Sequence, residues 1–339
     1  MTWQHQFRIL TVLVLGALWF GTATTHAMVG NDSRLETGEL VTKLVPGAVK
    51  YTVLLPPGYD SSRTLYPLLF LLHGGNGDHG FLALMKPVIE AAWAAGELPP
   101  LIVVTPDARR SAYVDYRDGS QKWETFIVGE LLNHIRKTYR VSPDRSKNIV
   151  SGISMGGLGA LRLGFDHPDI FGGLAALEAG IEPALSFDAV KTRNSFERNA
   201  SYFAERFGSP VDNAYWKVSN PANIAIARRD VILKSELQIY IEVGDADMFH
   251  LDEGNEFLHR VLWDHGISHE YRLVHGADHL GHTLPDRLRD ALRFLTTHVL
   301  NPPPPDNSYA GAALMVRALK AMRGVDDSAL RPALPSTSP

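Results

Sequence analysis

Ser154 stands in G-I-S-M-G at 152–156, between the apolar run N-I-V-S-G at 148–152 and the small residues G-L-G-A at 157–160. A serine hydroxyl is a weak nucleophile until a base removes its proton. Glycines on both sides permit a turn tight enough to hold that hydroxyl out toward a substrate. A buried strand running in and a small-residue helix running out form the strand–turn–helix setting of a nucleophile elbow. The N-terminus of such a helix also favours the anion formed during acyl transfer.

The base and its orienting acid have to come from elsewhere in the chain. Q-I-Y-I-E-V-G-D-A-D at 238–247 ends in Asp245 and Asp247, and E-Y-R-L-V-H-G-A-D-H-L-G-H at 270–282 carries His275, His279 and His282. An acid followed by a histidine, both after the serine, is one of the known chain orders of a Ser–His–Asp site. Upstream, L-L-H-G-G-N-G-D at 71–78 follows an apolar run and offers exposed backbone N–H groups. A loop of that kind supplies a second oxyanion donor beside the N–H of Met155.

These residues need a scaffold, and the apolar pattern outlines one. Strands are expected at 51–55, 67–72, 101–105, 148–152, 173–177, 238–243 and 270–274, several of them apolar throughout, as strands covered on both faces are. Helical segments are expected at 81–95, 124–139, 157–166, 253–264 and 284–299. Alternation at this spacing predicts an α/β fold with a mostly parallel sheet and helices on both faces. Residues 180–235 break the rhythm with an aromatic-rich insertion, either a cap over the site or a plain surface excursion. N-P-P-P-P-D at 301–306 then begins a proline-rich linker and helical tail over 301–339, in which Leu314, Met315, Leu319 and Met322 are expected to pack as a stripe. The fold itself is thus assigned to 28–300.

Composition bounds the function. The 339 residues are 45% hydrophobic and 21% charged, a globular balance. A formal net charge of -4 without a long basic run argues against a nucleic-acid partner. The absence of cysteine excludes thiol nucleophiles, thiolate metal sites and disulfides. Arg8, the apolar run at 9–21 and T-A-T-T-H-A at 22–27 read as a secretory signal cleaved after Ala27, which predicts a periplasmic or secreted protein. The apolar run is shorter than the roughly 20 residues that span a bilayer, so no stable membrane insertion is expected after cleavage. The spacing of His275, His279 and His282 fits no familiar ligand set. Asp245 to Glu256 imitates a calcium loop but carries Phe249 and His250 where a ligand and the turn glycine belong. Neither a metal nor a cofactor is expected.

Taken together, the motifs resemble the esterase D-like branch of the α/β-hydrolases, which includes feruloyl and acetylxylan esterases, S-formylglutathione hydrolases and the secreted mycolyltransferases. The resemblance extends over about 51–299. It rests on L-L-H-G-G, Y-V-D-Y-R-D-G-S-Q-K-W-E-T-F at 113–126, D-R-S-K-N-I-V-S-G-I-S-M-G-G-L-G-A-L at 144–161 and H-P-D-I-F-G at 167–172. R-F-G-S-P at 206–210, G-D-A-D at 244–247 and G-A-D-H at 276–279 agree. It implies Ser154 as nucleophile, Asp247 as orienting acid, His279 as base, and the N–H groups of Gly75 and Met155 as the oxyanion hole. The chain departs from the pattern at Glu178-Ala179-Gly180, where relatives often carry Ser-Gly; Glu178 competes with Asp245 and Asp247 for the acid and is a candidate for substrate contact. Tyr113, Asp115, Tyr116 and Trp123 are candidates too, because their segment follows a strand's carboxyl end, where open α/β sheets bind ligands. The expected activity is that of an exported serine esterase on a small-molecule or carbohydrate-linked ester. An acyltransferase of the mycolyltransferase type and a binding protein without turnover are its two alternatives.

Overall fold

Five consecutive fully buried side chains, L-L-F-L-L, suit a strand covered on both faces, and such runs build the middle of the sheet. The structure, a computed structural model, describes residues 32–304, 308 and 310–324. The signal sequence expected at 1–27 lies outside the described residues.

The strands are β1 (Arg34–Val41), β2 (Ala48–Leu55), β3 (Leu68–Leu72) and β4 (Ile102–Pro106), followed by β5 (Asn148–Ile153), β6 (Gly173–Leu177), β7 (Gln238–Gly244) and β8 (Glu270–Val274). Their order across the sheet is β1-β2-β4-β3-β5-β6-β7-β8. β1 pairs antiparallel with β2, and β2 antiparallel with β4; every later pairing is parallel. This is the α/β-hydrolase fold. β1 has no counterpart among the expected strands. Its sequence R-L-E-T-G-E-L-V is half-exposed to exposed along its whole length, so it lacks the apolar run that marks the others.

Side-chain alternation divides the interior into two layers. Leu69, Leu71, Val103 and Ile149 face the helices Phe81–Ala94 and Leu284–Leu295. Phe70, Leu72, Val104 and Val150 face the opposite way, where the helices Met155–Asp166 and Asp252–Asp264 cover them. Each fully buried Leu, Val or Phe contributes about 1.5–3 kcal/mol. The helix expected over 124–139 is interrupted by a π-helical turn at Phe126–Leu131, and Leu284–Leu295 likewise continues into a π turn, Thr296–Leu300.

Residues 180–235 form four short helices, Ala200–Phe207, Asn213–Ser219, Pro221–Ala227 and Arg229–Ser235. Phe187, Phe203, Phe207 and Trp216 join the core on the Met155–Asp166 side. The buried Arg162 ties the insertion down by donating to the carbonyls of Ser219 and Ala112. Phe196 stays exposed and stacks on Phe249 with centroids 6.0 Å apart. The tail differs from expectation. Leu314, Met315, Leu319 and Met322, on the helix Ala310–Met322, are 40% to 75% exposed and do not pack as a core stripe. Both faces of the sheet are already covered, which leaves that helix no core to join. Among the described residues, no helix is long and apolar enough to cross a membrane.

Candidate active site

β5 ends at Ile153 and the next helix begins at Met155, so Ser154 alone makes the turn. It does so at φ 59° and ψ −117°, a conformation that L-residues other than glycine rarely adopt. The neighbouring strand holds it there: Ser154 N donates to Leu177 O at 2.8 Å, and Gly180 N donates to Ser154 O at 3.2 Å. Two glycines make the turn possible. A Cβ on Gly152 would stand 2.4 Å from Gly156 O, and one on Gly156 would stand 2.2 Å from Leu72 O.

The loop after β3 lies against this elbow. A Cβ placed on Gly74 would be 3.5 Å from Ser154 Cβ, and one on Gly75 would be 4.0 Å from Met155 Cβ. His73, wholly buried, fixes the loop's course. Its Nε2 accepts from Ala108 N at 3.0 Å, so Nδ1 carries the hydrogen and donates to Gly74 O at 2.7 Å. Burial holds the His73 pKa below its ordinary value, against the Gly74 hydrogen bond, which favours the charged form. Met155 opens the helix, which places its N–H at the positive end of the helix dipole.

Beyond β7 and β8, two loops bring an acid to a histidine. His279 Nδ1 and Asp247 Oδ2 are 2.8 Å apart, with side chains 6% and 0% exposed. Asp278 clamps the two loops together, its Oδ1 accepting from Met248 N at 3.0 Å and from His279 N at 2.6 Å. Phe249 stands edge-on to the His279 ring at 4.6 Å. Burial alone would raise the Asp247 pKa, but hydrogen bonds with His279 and Glu178 outweigh it and hold the carboxyl below its usual range. An ionised Asp247 accepting from Nδ1–H leaves Nε2 as the free base of the ring. Ser154 Oγ makes no hydrogen bond to His279 in this structure; in unliganded enzymes such bonds are often long and tighten with substrate.

The chain is similar to known proteins. The family described as "Putative esterase" matches residues 43–280. The chain belongs to that family. An esterase of Mycobacterium tuberculosis is 34% identical over 136 residues, covering 39% of this chain and 29% of that protein. The chain therefore matches less than a third of that relative's length. An acetyl esterase of Caldicellulosiruptor saccharolyticus is 24% identical over 214 residues, 63% of this chain and 76% of that one. Among solved structures, a ferulic acid esterase superposes with a TM-score of 0.66 at 27% identity, over 80% of this chain and 100% of the other.

In this esterase-family chain the other candidates go elsewhere. Asp245 pairs with His275, which is 99% exposed, at 2.8 Å and also accepts from Gly276 N at 2.6 Å. His282 is exposed. The four candidates after β4 each make contacts within the protein. Tyr113 is wholly buried and its hydroxyl donates to His73 O at 2.9 Å. Asp115 binds Thr125 N at 3.1 Å and the Thr125 hydroxyl at 2.5 Å. Tyr116 is 4% exposed beneath the Arg206 guanidinium. Trp123 is buried, with Nε1 donating to Gln121 Oε1 at 2.7 Å. Tyr116 and the Asp115 carbonyl contact the insertion through Arg206 and the Tyr215 hydroxyl, while Tyr113 and Trp123 pack in the core. Glu178 is also fully buried, behind Asp247 rather than in front of it.

Glu178, Asp247 and His279 offer ligand atoms within 4.8 Å of one another. The charge of Arg287, whose Nη1 donates to Glu178, already stands where a cation's charge would. Arg287 was not among the sequence candidates, because P-D-R-L-R-D reads as an exposed helical face. It is 4% exposed, and its Nη2 donates to Asp278 O at 3.0 Å and Leu280 O at 3.1 Å, on either side of His279.

Proposed function

We propose that the protein is an exported serine carboxylic-ester hydrolase acting through an acyl-serine intermediate. The observation that carries this reading is the buried Asp247–His279 pair at the same end of the sheet as the Ser154 elbow. His279 Nε2 takes the Ser154 proton as Oγ attacks the ester carbonyl, and Asp247 holds the imidazole and its developing charge. The N–H groups of Gly75 and Met155 receive the oxyanion. His279 then returns the proton to the departing alcohol, and water releases the acid by the same steps in reverse. Family membership supports ester chemistry, and similarity to a ferulic acid esterase and an acetyl esterase supports ferulic acid and acetyl esters as substrates.

The test is turnover of acetyl, feruloyl and longer-chain aryl and sugar esters, with and without an alcohol acceptor, alongside labelling by a serine-directed fluorophosphonate. Ser154→Ala is expected to lower kcat by roughly 10⁴ to 10⁶ and to abolish labelling. Retention of a tenth of the activity would end the proposal, and transfer to the acceptor in place of hydrolysis would make the protein an acyltransferase. Export with cleavage after Ala27 is checked by sequencing the N-terminus of the mature protein.

A further inference from the structure

Behind the Asp247–His279 pair lies a buried cluster that the reaction steps above do not use. Glu178 and Glu242 meet the guanidinium of Arg287, Asp247 adjoins Glu178, and none of the four is more than 4% exposed. With His279 neutral, three ionised carboxyls beside one arginine would leave two uncompensated negative charges out of water, which is very costly. One carboxyl must therefore hold a proton.

Hydrogen-bond partners decide which. Glu242 presents both oxygens to Arg287 Nη1, at 3.3 and 3.4 Å, as an anion does. Asp247 accepts from Phe249 N at 2.6 Å and from His279, again as an anion. Glu178 Oε1 accepts from Gly244 N at 3.1 Å and from Arg287 Nη1. Glu178 Oε2 is buried and has no hydrogen-bond partner, and the Glu178 and Asp247 carboxyls lie side by side, with oxygens within 4.8 Å of each other. Two acceptors in contact are satisfied only by a proton between them.

We propose that Glu178 is a positioning residue whose protonated carboxyl donates a hydrogen bond from Oε2 to Asp247 and so holds the Asp247 carboxylate against His279. The proposal rests on the triad reading above. Burial, then the hydrogen bond to Asp247 and the charge of Glu242, push the Glu178 pKa up to about 10 against the pull of Arg287, so the proton stays through neutral pH. The charged or titratable groups facing Glu178 are Asp247 on the loop after β7, Glu242 on β7 itself, Arg287 on the helix Leu284–Leu295 and His279 on the loop after β8. Glu178 is held rigidly, at φ 49° with its N–H donating to Glu242 O at 2.9 Å. A neutral donor fixes Asp247 without placing a second negative charge beside the imidazole.

The experiment compares Glu178→Gln and Glu178→Ala with wild type in kcat, KM, the acid limb of kcat/KM against pH, melting temperature and fluorophosphonate labelling. The Gln amide can replace the donated hydrogen bond without a proton. Expected are a Gln variant within about threefold of wild type with its acid-limb midpoint unmoved, and an Ala variant more than tenfold lower in kcat at nearly unchanged KM. A midpoint about one unit or more lower in Glu178→Gln would mean that wild-type Glu178 is ionised, because removing a carboxylate this close lowers a histidine's pKa by that much, and the proposal would fall. Full activity of Glu178→Ala, or a Gln variant folded like wild type yet as impaired as Ala, would also overturn it. If the Ala variant does not fold, the Gln midpoint still decides. Wild-type protein that neither turns over esters nor takes the fluorophosphonate refutes the triad reading; labelled wild type with contrary variants refutes the role of Glu178 alone.

Discussion

Asp247 and His279 meet at 2.8 Å out of solvent, while two residues earlier Asp245 turns to a histidine on the open surface. Asp247→Asn is therefore expected to lower kcat by up to about 10⁴, since the imidazole loses its tautomer and its orientation. Asp245→Asn should stay within a fewfold of wild type. Steady-state kinetics on the two variants check the pair, and a reversed ranking would refute the assignment of the acid.

The elbow tolerates no side chain at Gly156. Glycine to alanine inside a helix normally stabilises by about 1 kcal/mol. Here the new Cβ would stand 2.2 Å from Leu72 O and 2.8 Å from His73 O, both backbone atoms of the strand and loop beside the serine. Gly156→Ala should cost about 1–3 kcal/mol in urea unfolding and reduce kcat through displacement of that loop. A neutral or stabilising result would mean that the approach is looser than it looks.

Stability should fall as pH rises. Glu178, with its pKa pushed up from 4.5 to about 10, holds through neutral pH a proton that the unfolded chain has released, and Glu242, raised from 4.5 to about 7 chiefly by burial, gives its proton up only as pH climbs to neutrality. A raised folded-state pKa contributes stability that is complete below about 4.5 and lost as pH climbs toward the folded value. Each whole proton of difference is worth about 1.4 kcal/mol per pH unit. Urea midpoints for wild type should therefore decline from pH 5 to 9, and those of Glu178→Gln less steeply. Parallel slopes for the two proteins would show that Glu178 takes up no proton on folding.

A chain ending at Asn301 should keep its fold and its ester turnover. Leu300, whose carbonyl accepts from Lys147 Nζ at 2.7 Å, is retained, and among the described residues lost with the tail Leu314, Met315, Val316, Leu319 and Met322 are exposed. Melting temperature and kcat of the truncated protein test this. A folded but inactive product would mean that the tail reaches the site.

Much of the scaffold was legible because its signal is local. Five strands, β3 to β7, are runs buried on both faces, and such runs can be read without knowing their neighbours. β1 was not legible: R-L-E-T-G-E-L-V has no apolar run, and its strand character comes from the edge of β2 that it pairs with. The tail stripe misled for the opposite reason, since a helical repeat of apolar residues says nothing about whether a core remains to receive it. Similarly, the segment holding Tyr113, Asp115, Tyr116 and Trp123 was correctly placed after a strand, but placement along the chain does not say which way a side chain points.

By itself the sequence determined that no thiol chemistry is open to this protein, that a serine stands on a glycine-flanked strand-to-helix turn, and that acids and histidines follow it in order. Each of these depends on residue identity or on neighbours a few positions away. Only the tertiary structure decided which acid meets which histidine. Asp245 and Asp247 are two residues apart and His275 and His279 four, so spacing allows either pairing; the choice is made where Asp278 clamps the two loops and Arg287 grips both sides of His279. The same holds for Glu178. Its proton follows from three carboxyls and one arginine packed together out of water, and those groups come from three separate stretches of the chain.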